Sequence, residues 1–556
     1  MATVVKKKKG FGAALSRGSS GRAISPLRPL PKTKMPPCIG ACPQGNNVRG
    51  FLTAIAQGEG IGRTLDESYA LAWNIVTETN PIPAVIGRVC PHPCETKCNR
   101  KDKDSPVAIN NVERFIGDYG IEKNLAHKIT GQKKTQRVAV VGAGPAGLSC
   151  AFHLAKRGYS VTMFEVFAET GGMLRYGIPA YRLPRKVLDA EIKKILEMGV
   201  ELKTNCRIGK DISMEDLHQK FDSVFVAIGA HKGLRLGVKG EDAQGVYSGV
   251  DFLHRVAAGE KVDLGKQAVI VGGGDTAIDA ARIALRLGTK ATILYRRTKN
   301  EMPAINEEIE QAEHEGVDIQ YLAAPIEILS EGGRVKGIKA IRMELGEPDA
   351  SGRRRPVPMA GSEFEIPMDS VIPAISQEPD FLGLEQLQAG PRDWIKADAK
   401  RKVKDTLYAG GDVLRLGLVV DALGHGRQAA DTIHYSLSGE QEPVIPVMAE
   451  VTSDKMRIDL YENKTRHETT LIANEARFAA IDVEVGATLA ASDLMDETKR
   501  CMSCGYCFNC EKCWEYCQDS AIVKGKKGEI YTYKSEVCTG CKKCAEECPC
   551  GFIDMV

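Results

Sequence analysis

Apolar and polar positions change rhythm several times along this chain. VRGFLTAIAQGEG (48–60) and ESYALAWNIVTETN (67–80) carry apolar residues three and four apart, the spacing that gathers them on one helix face, so a helical domain is expected from Cys38 to about residue 130. At 137 the texture changes to an unbroken apolar run, a glycine turn, an alanine- and leucine-rich stretch and a second apolar run: RVAVVGAGPAGLSCAFHLAKRGYSVTMFE (137–165). QAVIVGGGDTAIDAARIALRLGTKATILYRR (267–297) repeats it. Two such strand–helix–strand units predict an α/β chain with two parallel sheets flanked by helices. A polar stretch follows from about 440 to 495, then a cysteine-dense tail. Residues 1–37 mix Lys, Gly, Ser and Pro without periodicity and read as a basic, flexible arm, either solvated or strapped across a partner.

Composition narrows the function classes. The chain has 556 residues, 43% hydrophobic and 26% charged, an ordinary globular balance with room for about three to five compact units. The net charge of +3 hides an asymmetry: the first 37 residues hold nine Lys or Arg and no acid, leaving 66 bases against 72 acids in the rest. No nucleic-acid partner is expected from that balance. No apolar run is long enough for a membrane span, and the basic N-terminus lacks the apolar core of a signal peptide, so a cytoplasmic protein is expected. Of 18 cysteines, five lie between Cys38 and Cys98 and eleven between Cys501 and Cys550. Clustered cysteines in a large chain without an export signal point to metal ligation rather than disulfides. Cys150 and Cys206 stand alone and read as inert buried residues.

The first glycine turn sets Gly142, Gly144 and Gly147 between strand and helix, where they serve a tight turn, close approach of backbone to a pyrophosphate, and close helix–strand packing. Glu165 ends the next strand and suits a ribose hydroxyl. The second turn carries Gly272, Gly274 and Ala277, and its second strand ends in Arg296 and Arg297, which suit the 2′-phosphate of NADP better than the bare ribose of NAD. Asp275 and Thr276 are placed to orient that nucleotide. Two nucleotide sites of different chemistry imply FAD reduced by hydride from NAD(P)H.

In the tail, Cys507, Cys510, Cys513 and Cys517 follow a CxxCxxCxxxC spacing that Cys538, Cys541, Cys544 and Cys548 repeat, with Pro549 after. This is the two-cluster ferredoxin spacing, in which the fourth cysteine of each run crosses to the other cluster. Cys507, Cys510, Cys513 and Cys548 are therefore assigned to one 4Fe–4S cluster and Cys538, Cys541, Cys544 and Cys517 to another. Cys501, Cys504 and Cys550 are surplus and expected to be unliganded.

GGMLRYGIPAYRLP (171–184), FDSVFVAIGA (221–230), MPAINEEIEQAEHEGV (302–317), DSVIPAISQEPD (369–380) and LYAGGDV (407–413) together resemble the glutamate synthase small-subunit family of FAD-dependent oxidoreductases. With its ferredoxin tail the chain most resembles the iron–sulfur flavoproteins associated with dissimilatory sulfite reductase. The resemblance implies an FAD domain split by an inserted nucleotide domain, with Gly172, Arg175, Gly411 and Asp412 on the flavin. Ser376 stands where that family has Gly. It also implies an N-terminal cluster on Cys42, Cys90, Cys94 and Cys98, three 4Fe–4S clusters in all; Cys38 stays open.

The expected order is then a basic arm (1–37), a helical 4Fe–4S domain (38–130), an FAD domain (131–250), an NAD(P)H domain (251–368), the FAD domain's return (369–440), a linker (441–495) and a two-cluster ferredoxin domain (496–556). The expected function is an NAD(P)H:acceptor oxidoreductase that exchanges electrons with ferredoxin or with a larger redox enzyme of sulfite reductase or 2-oxoacid oxidoreductase type, in a hetero-complex. A non-catalytic relay subunit and a glutamate synthase small subunit are the alternatives.

Overall fold

A computed structural model describes residues 25–350, 352–390 and 394–556. The chain forms two compact units: residues 127–440 with 471–487, and residues up to 126 with 441–470 and 488–556.

The first of these units is the α/β part. Its larger sheet orders Lys402–Lys404, Leu407–Ala409, Ser223–Val226, Arg137–Val141, Ser160–Phe164 and Glu201–Lys203, parallel throughout except for the antiparallel first pair. These strands are short, and their inner members are buried on both faces, so they read as unbroken apolar runs rather than alternating ones. Helix Pro145–Lys156 covers the sheet and crosses Val419–Ser438 so closely that a Cβ on Gly426 would stand 2.2 Å from the carbonyl oxygen of Ala146.

The second sheet is fully parallel and orders Ser370–Pro373, Gln267–Val271, Lys290–Tyr295 and Asp318–Tyr321. Strand Ser370–Pro373 therefore belongs to the nucleotide domain, whereas the sequence boundary at 368 assigns it to the returning FAD domain. Its four residues are all buried beside Gln267–Val271, a long-range pairing that no local pattern announces. The chain passes between the domains on a two-stranded ribbon, Lys232–Gly233 with Gln377–Glu378. An antiparallel three-stranded sheet, Ala323–Glu331, Arg334–Pro348 and Arg354–Pro367, extends the nucleotide domain.

The other unit packs helices Val48–Gly58, Leu65–Val76, Pro83–Val89 and Ile109–Glu122 around Phe51, Ile55, Trp73, Val76 and Ile116. Pro83–Val89 and Ile109–Glu122 meet at glycines: a Cβ on Gly117 would lie 2.1 Å from the Ala84 nitrogen. The cysteine-rich tail belongs to the same unit, and Pro29–Pro31 pairs antiparallel with Ile553–Met555. Lys34 is buried, its amine donating to Gly551 O at 2.7 Å and to Asp554 at 2.6 Å.

Two expectations change accordingly. Of the arm 1–37, residues 1–24 lie outside the described residues, while 25–37 are held against the tail. The linker 441–495 is no free connector: Arg477, at its centre, donates to Gln311 at 2.7 Å and Glu315 at 3.2 Å within the α/β unit. Among the described residues, no helix is long and apolar enough to cross a membrane.

Candidate functional site

At the carboxyl end of the larger sheet a cavity opens above strand Arg137–Val141, bordered by Gly142, Gly144, Glu165, Gly172, Gly411 and Asp412. Each glycine does a distinct job. Gly142 turns with φ +105°, and a Cβ there would stand 2.4 Å from Ala227 O. Gly147, behind the cavity wall, would drive a Cβ to 1.9 Å from Gly142 O, so its absence of side chain lets helix lie on strand. Gly144 faces open space, with Gly172 Cα at 3.8 Å the nearest heavy atom to an added Cβ. The start of helix Pro145–Lys156 thus presents bare backbone to the cavity, the arrangement that receives a diphosphate.

Glu165 is buried, and its carboxylate accepts from Ala143 N at 2.8 Å and Phe167 N at 3.0 Å. Burial raises its pKa; those backbone donors oppose the rise. Gly411 has φ +78°, and its N–H donates to His425 Nδ1 at 3.1 Å. Burial pushes Asp412 up to about 6 although Gly417 N donates to it at 3.1 Å. Arg175 is absent from the wall: it donates to Thr170 O at 2.6 Å and pairs with Asp189. Cys206, expected to be inert and buried, is half-buried and borders the cavity.

A second cavity lies at the carboxyl end of the other sheet, lined by Gly272, Gly274, Asp275, Arg296, Arg297 and Arg353. Gly272 turns with its Cβ position 2.3 Å from Ala374 O, and Gly274 has nothing within 4 Å of its own. Ala277 is fully buried beneath the helix start. Asp275 accepts from Ile305 N at 3.0 Å. The arginine pair divides: Arg296 is exposed at the rim, whereas Arg297 is 5% exposed and donates to Arg354 O at 2.7 Å and Asp349 at 3.0 Å. Arg353, which sequence reasoning missed, reaches the cavity from the turn between two antiparallel strands; only that long-range hairpin could have revealed it. Thr276, Gln377, Asp412 and Gly417 border both cavities, so the two are adjacent.

In the tail, Cys507, Cys510, Cys513 and Cys548 line one small cavity, with Cys550 beside Cys548 at 3.8 Å between sulfurs. Backbone N–H groups point at these and neighbouring sulfurs, Phe552 N on Cys548 at 3.3 Å, Ala521 N on Cys517 at 3.2 Å and Gly540 N on Cys538 at 3.4 Å. Such N–H···S contacts offset thiolate charge, as a cluster site requires. Cys538 and Cys541, the remaining members of the second run, lie near Cys544.

The N-terminal cysteines separate into two groups. Cys42, Cys90 and Cys94 lie near the buried carboxylate of Glu113, which accepts from Asn46 at 2.9 Å and Asn80 at 2.8 Å and which burial pushes up to about 7. Three thiols and a carboxylate are a donor set fit for iron. Cys98, expected with them, instead borders a cavity with Cys38.

Residues 136–426 match the pyridine nucleotide-disulphide oxidoreductase family, and residues 30–125 match the dihydropyrimidine dehydrogenase domain II, 4Fe-4S cluster, family. The chain is 38% identical over 512 residues to the NADPH-Fe(3+) oxidoreductase subunit beta of Geobacter sulfurreducens, covering 84% of this chain and 75% of that protein. It is 39% identical over 473 residues to the NADP(+)-dependent formate dehydrogenase subunit beta of Moorella thermoacetica, 80% of this chain and 65% of that one. Against the Escherichia coli glutamate synthase [NADPH] small chain it is 37% identical over 423 residues, 72% of this chain and 88% of the relative.

Proposed function

The chain belongs to the glutamate synthase small-chain-like FAD and iron–sulfur oxidoreductases, and we propose that it passes electrons between NADPH and a ferredoxin or larger redox enzyme, of sulfite reductase or 2-oxoacid oxidoreductase type. That it is an FAD-dependent NADPH oxidoreductase with a 4Fe–4S domain follows from the family; the acceptor, a place in a cytoplasmic hetero-complex and the residue roles are the proposal. One observation carries it: the two dinucleotide cavities share Thr276, Gln377, Asp412 and Gly417, so ligands laid in them would meet.

A bound flavin supplies the exchange between two-electron hydride chemistry and one-electron iron–sulfur chemistry. The chain's own residues bind and orient. Gly144 and Gly274 leave backbone bare for two diphosphates, Glu165 holds a ribose, and Arg296 with Arg353 faces a 2′-phosphate. Arg175 acts at one remove, fixing the turn after Gly172 through Thr170 and Asp189. Among the described residues lining the flavin cavity, Cys206 is the sole cysteine, so no cysteine pair stands there to take a hydride's electrons as a disulfide. The eight tail cysteines are the proposed exit.

Anaerobic mixing with NADPH tests the reading. Bleaching of flavin absorbance followed by reduction of an added low-potential ferredoxin supports it; bleaching without ferredoxin reduction rejects the acceptor, and no bleaching rejects the nicotinamide site and favours a relay subunit.

A further inference from the structure

Cys501 and Cys504 have no place in the ferredoxin spacing, yet their surroundings are built with care. Helix Ala491–Thr498 buries Leu494 in the helical core of residues 48–122. Glu497, fully buried, accepts from Ala108 N at 2.7 Å and His467 N at 2.9 Å, and pairs with Arg500 at 2.6 Å. Arg500, also fully buried, reaches Asp104 at 2.9 Å and Ser105 O at 2.7 Å, while Arg100 donates to Arg500 O at 3.1 Å. Buried charges are tolerated only when paired and hydrogen-bonded, and pairing them fixes position more than it adds stability. Here they fix the segment entering Cys501 against the loop that leaves Cys98.

The result is a cavity bordered by Cys38, Cys98, Cys501 and Cys504, with apolar side chains such as Leu52, Val107 and Ile109 and the polar Asn99 in its wall. Two cations, Arg49 and Arg100, border this cavity; Arg49 donates to Cys504 O at 2.7 Å and Lys34 O at 2.9 Å. Asn99 Nδ2 lies 3.6 Å from Cys504 Sγ. Ser503 turns with φ +51°, which aims its N–H at the Cys501 sulfur. An apolar core has no use for four thiols around one hollow under a guanidinium. Thiolates bearing metal do: the cations and the N–H donor offset their charge, and the apolar part of the wall excludes water.

We propose that Cys38, Cys98, Cys501 and Cys504 bind a 4Fe–4S cluster of their own, stapling the two ends of the chain. The site rests on the reading of this chain as an iron–sulfur flavoprotein but not on its acceptor. Among the described residues no three histidine, cysteine or acidic side chains close on single-ion geometry, and a four-iron cube asks for none, since it holds its sulfurs a cube's width apart.

The test is anaerobic iron, sulfide, zinc and FAD analysis of the full chain, with electron paramagnetic resonance of the dithionite-reduced protein. Cys501→Ser with Cys504→Ser is expected to lose about four irons per chain and one resonance component, with FAD retained; Cys38→Ser is expected to lose the same component. Unchanged iron in both variants, loss of different components, or zinc in place of iron overturns the proposal. Should a variant fail to fold, alkylation of the wild-type chain decides instead: labelling of all four cysteines in step with iron release supports the site, and labelling that does not follow iron release overturns it. NADPH oxidation enters neither readout, so failure of this site is distinguishable from failure of the proposed function.

Discussion

Gly142 and Gly144 stand two residues apart in one turn, and the structure predicts opposite consequences for adding a single methyl to each. At Gly142 the new Cβ would face Ala227 O at 2.4 Å and Ala227 C at 2.8 Å, both backbone, at a φ of +105°. Left-handed strain costs roughly 1–2 kcal/mol for a non-glycine residue, and overpacking against unyielding atoms roughly 1–3 kcal/mol more. Gly142→Ala should therefore cost about 2–5 kcal/mol and lower the melting temperature of the flavin-free protein by several degrees, at roughly 2–4 °C per kcal/mol. Gly144 has an ordinary φ of −80° and no heavy atom closer than 3.8 Å to an added Cβ. Gly144→Ala should cost the flavin-free fold about 1 kcal/mol or less. Its methyl instead stands in the diphosphate cradle, where a misfit of roughly 1–3 kcal/mol weakens FAD binding about 5- to 150-fold. Thermal melts of deflavinated protein and titration with FAD separate the two. A Gly144→Ala variant that binds FAD like wild type, or a Gly142→Ala variant that melts like wild type, would refute the reasoning.

Arg296→Ala should raise KM for NADPH about tenfold with little effect on NADH, because only the phosphate offers a charge-assisted partner; Arg297→Ala should leave that preference alone and cost roughly 1–3 kcal/mol of stability through Asp349 and Arg354, and the reverse pattern would show the roles exchanged. Burial alone would raise Glu315, but hydrogen bonds from Arg282 and Arg286 prevail and hold it at about 2; with its folded pKa below the unfolded value near 4.3, it stabilises the fold above that pH and loses the contribution as pH falls toward 2, so Glu315→Gln should flatten the acid limb of the stability profile, by about 3 kcal/mol at most. Cys541→Ser should leave NADPH bleaching of the flavin intact while ferredoxin reduction falls at least about tenfold, one cluster of the tail being lost; an unchanged rate would make the tail a docking module.

What could be read from the sequence was what local geometry dictates. The two strand–turn–helix units were legible because Gly142, Gly144, Gly272 and Gly274 act within a few residues of the strands they end. The CxxCxxC spacing brings Cys507, Cys510 and Cys513 to one cavity for the same reason, since it is a turn. Several distant pairings escaped. Ser370–Pro373 joins Gln267–Val271 across a hundred residues, Arg353 arrives on a hairpin, and Arg477 reaches Glu315 from what looked like a linker. Cys98 follows Cys94 as regularly as Cys94 follows Cys90, yet Cys94 sits inside helix Pro93–Thr96 while Cys98 lies beyond its end and borders the cavity with Cys38.

The same nonlocal pairing decides how the electron exit must be tested. Cutting the chain near residue 490 suggests itself from the sequence, because both dinucleotide domains end before 440. But the removed segment would take Leu494 out of the helical core, strip Ala108 and His467 of their carboxylate partner, and leave Asp104 facing Arg100 without Arg500. It would also unpair Pro29–Pro31 from Ile553–Met555 and expose the buried Lys34 amine. Breaking a buried ion pair from one side costs roughly 3–5 kcal/mol, a large share of the roughly 5–15 kcal/mol that holds a typical fold. A truncated chain would therefore lose ferredoxin reduction whether or not the tail conducts. Single thiol replacements such as Cys541→Ser, at an exposed cysteine outside these contacts, interrupt conduction while leaving the unit packed. Only a loss of electron delivery in that setting assigns the tail its role.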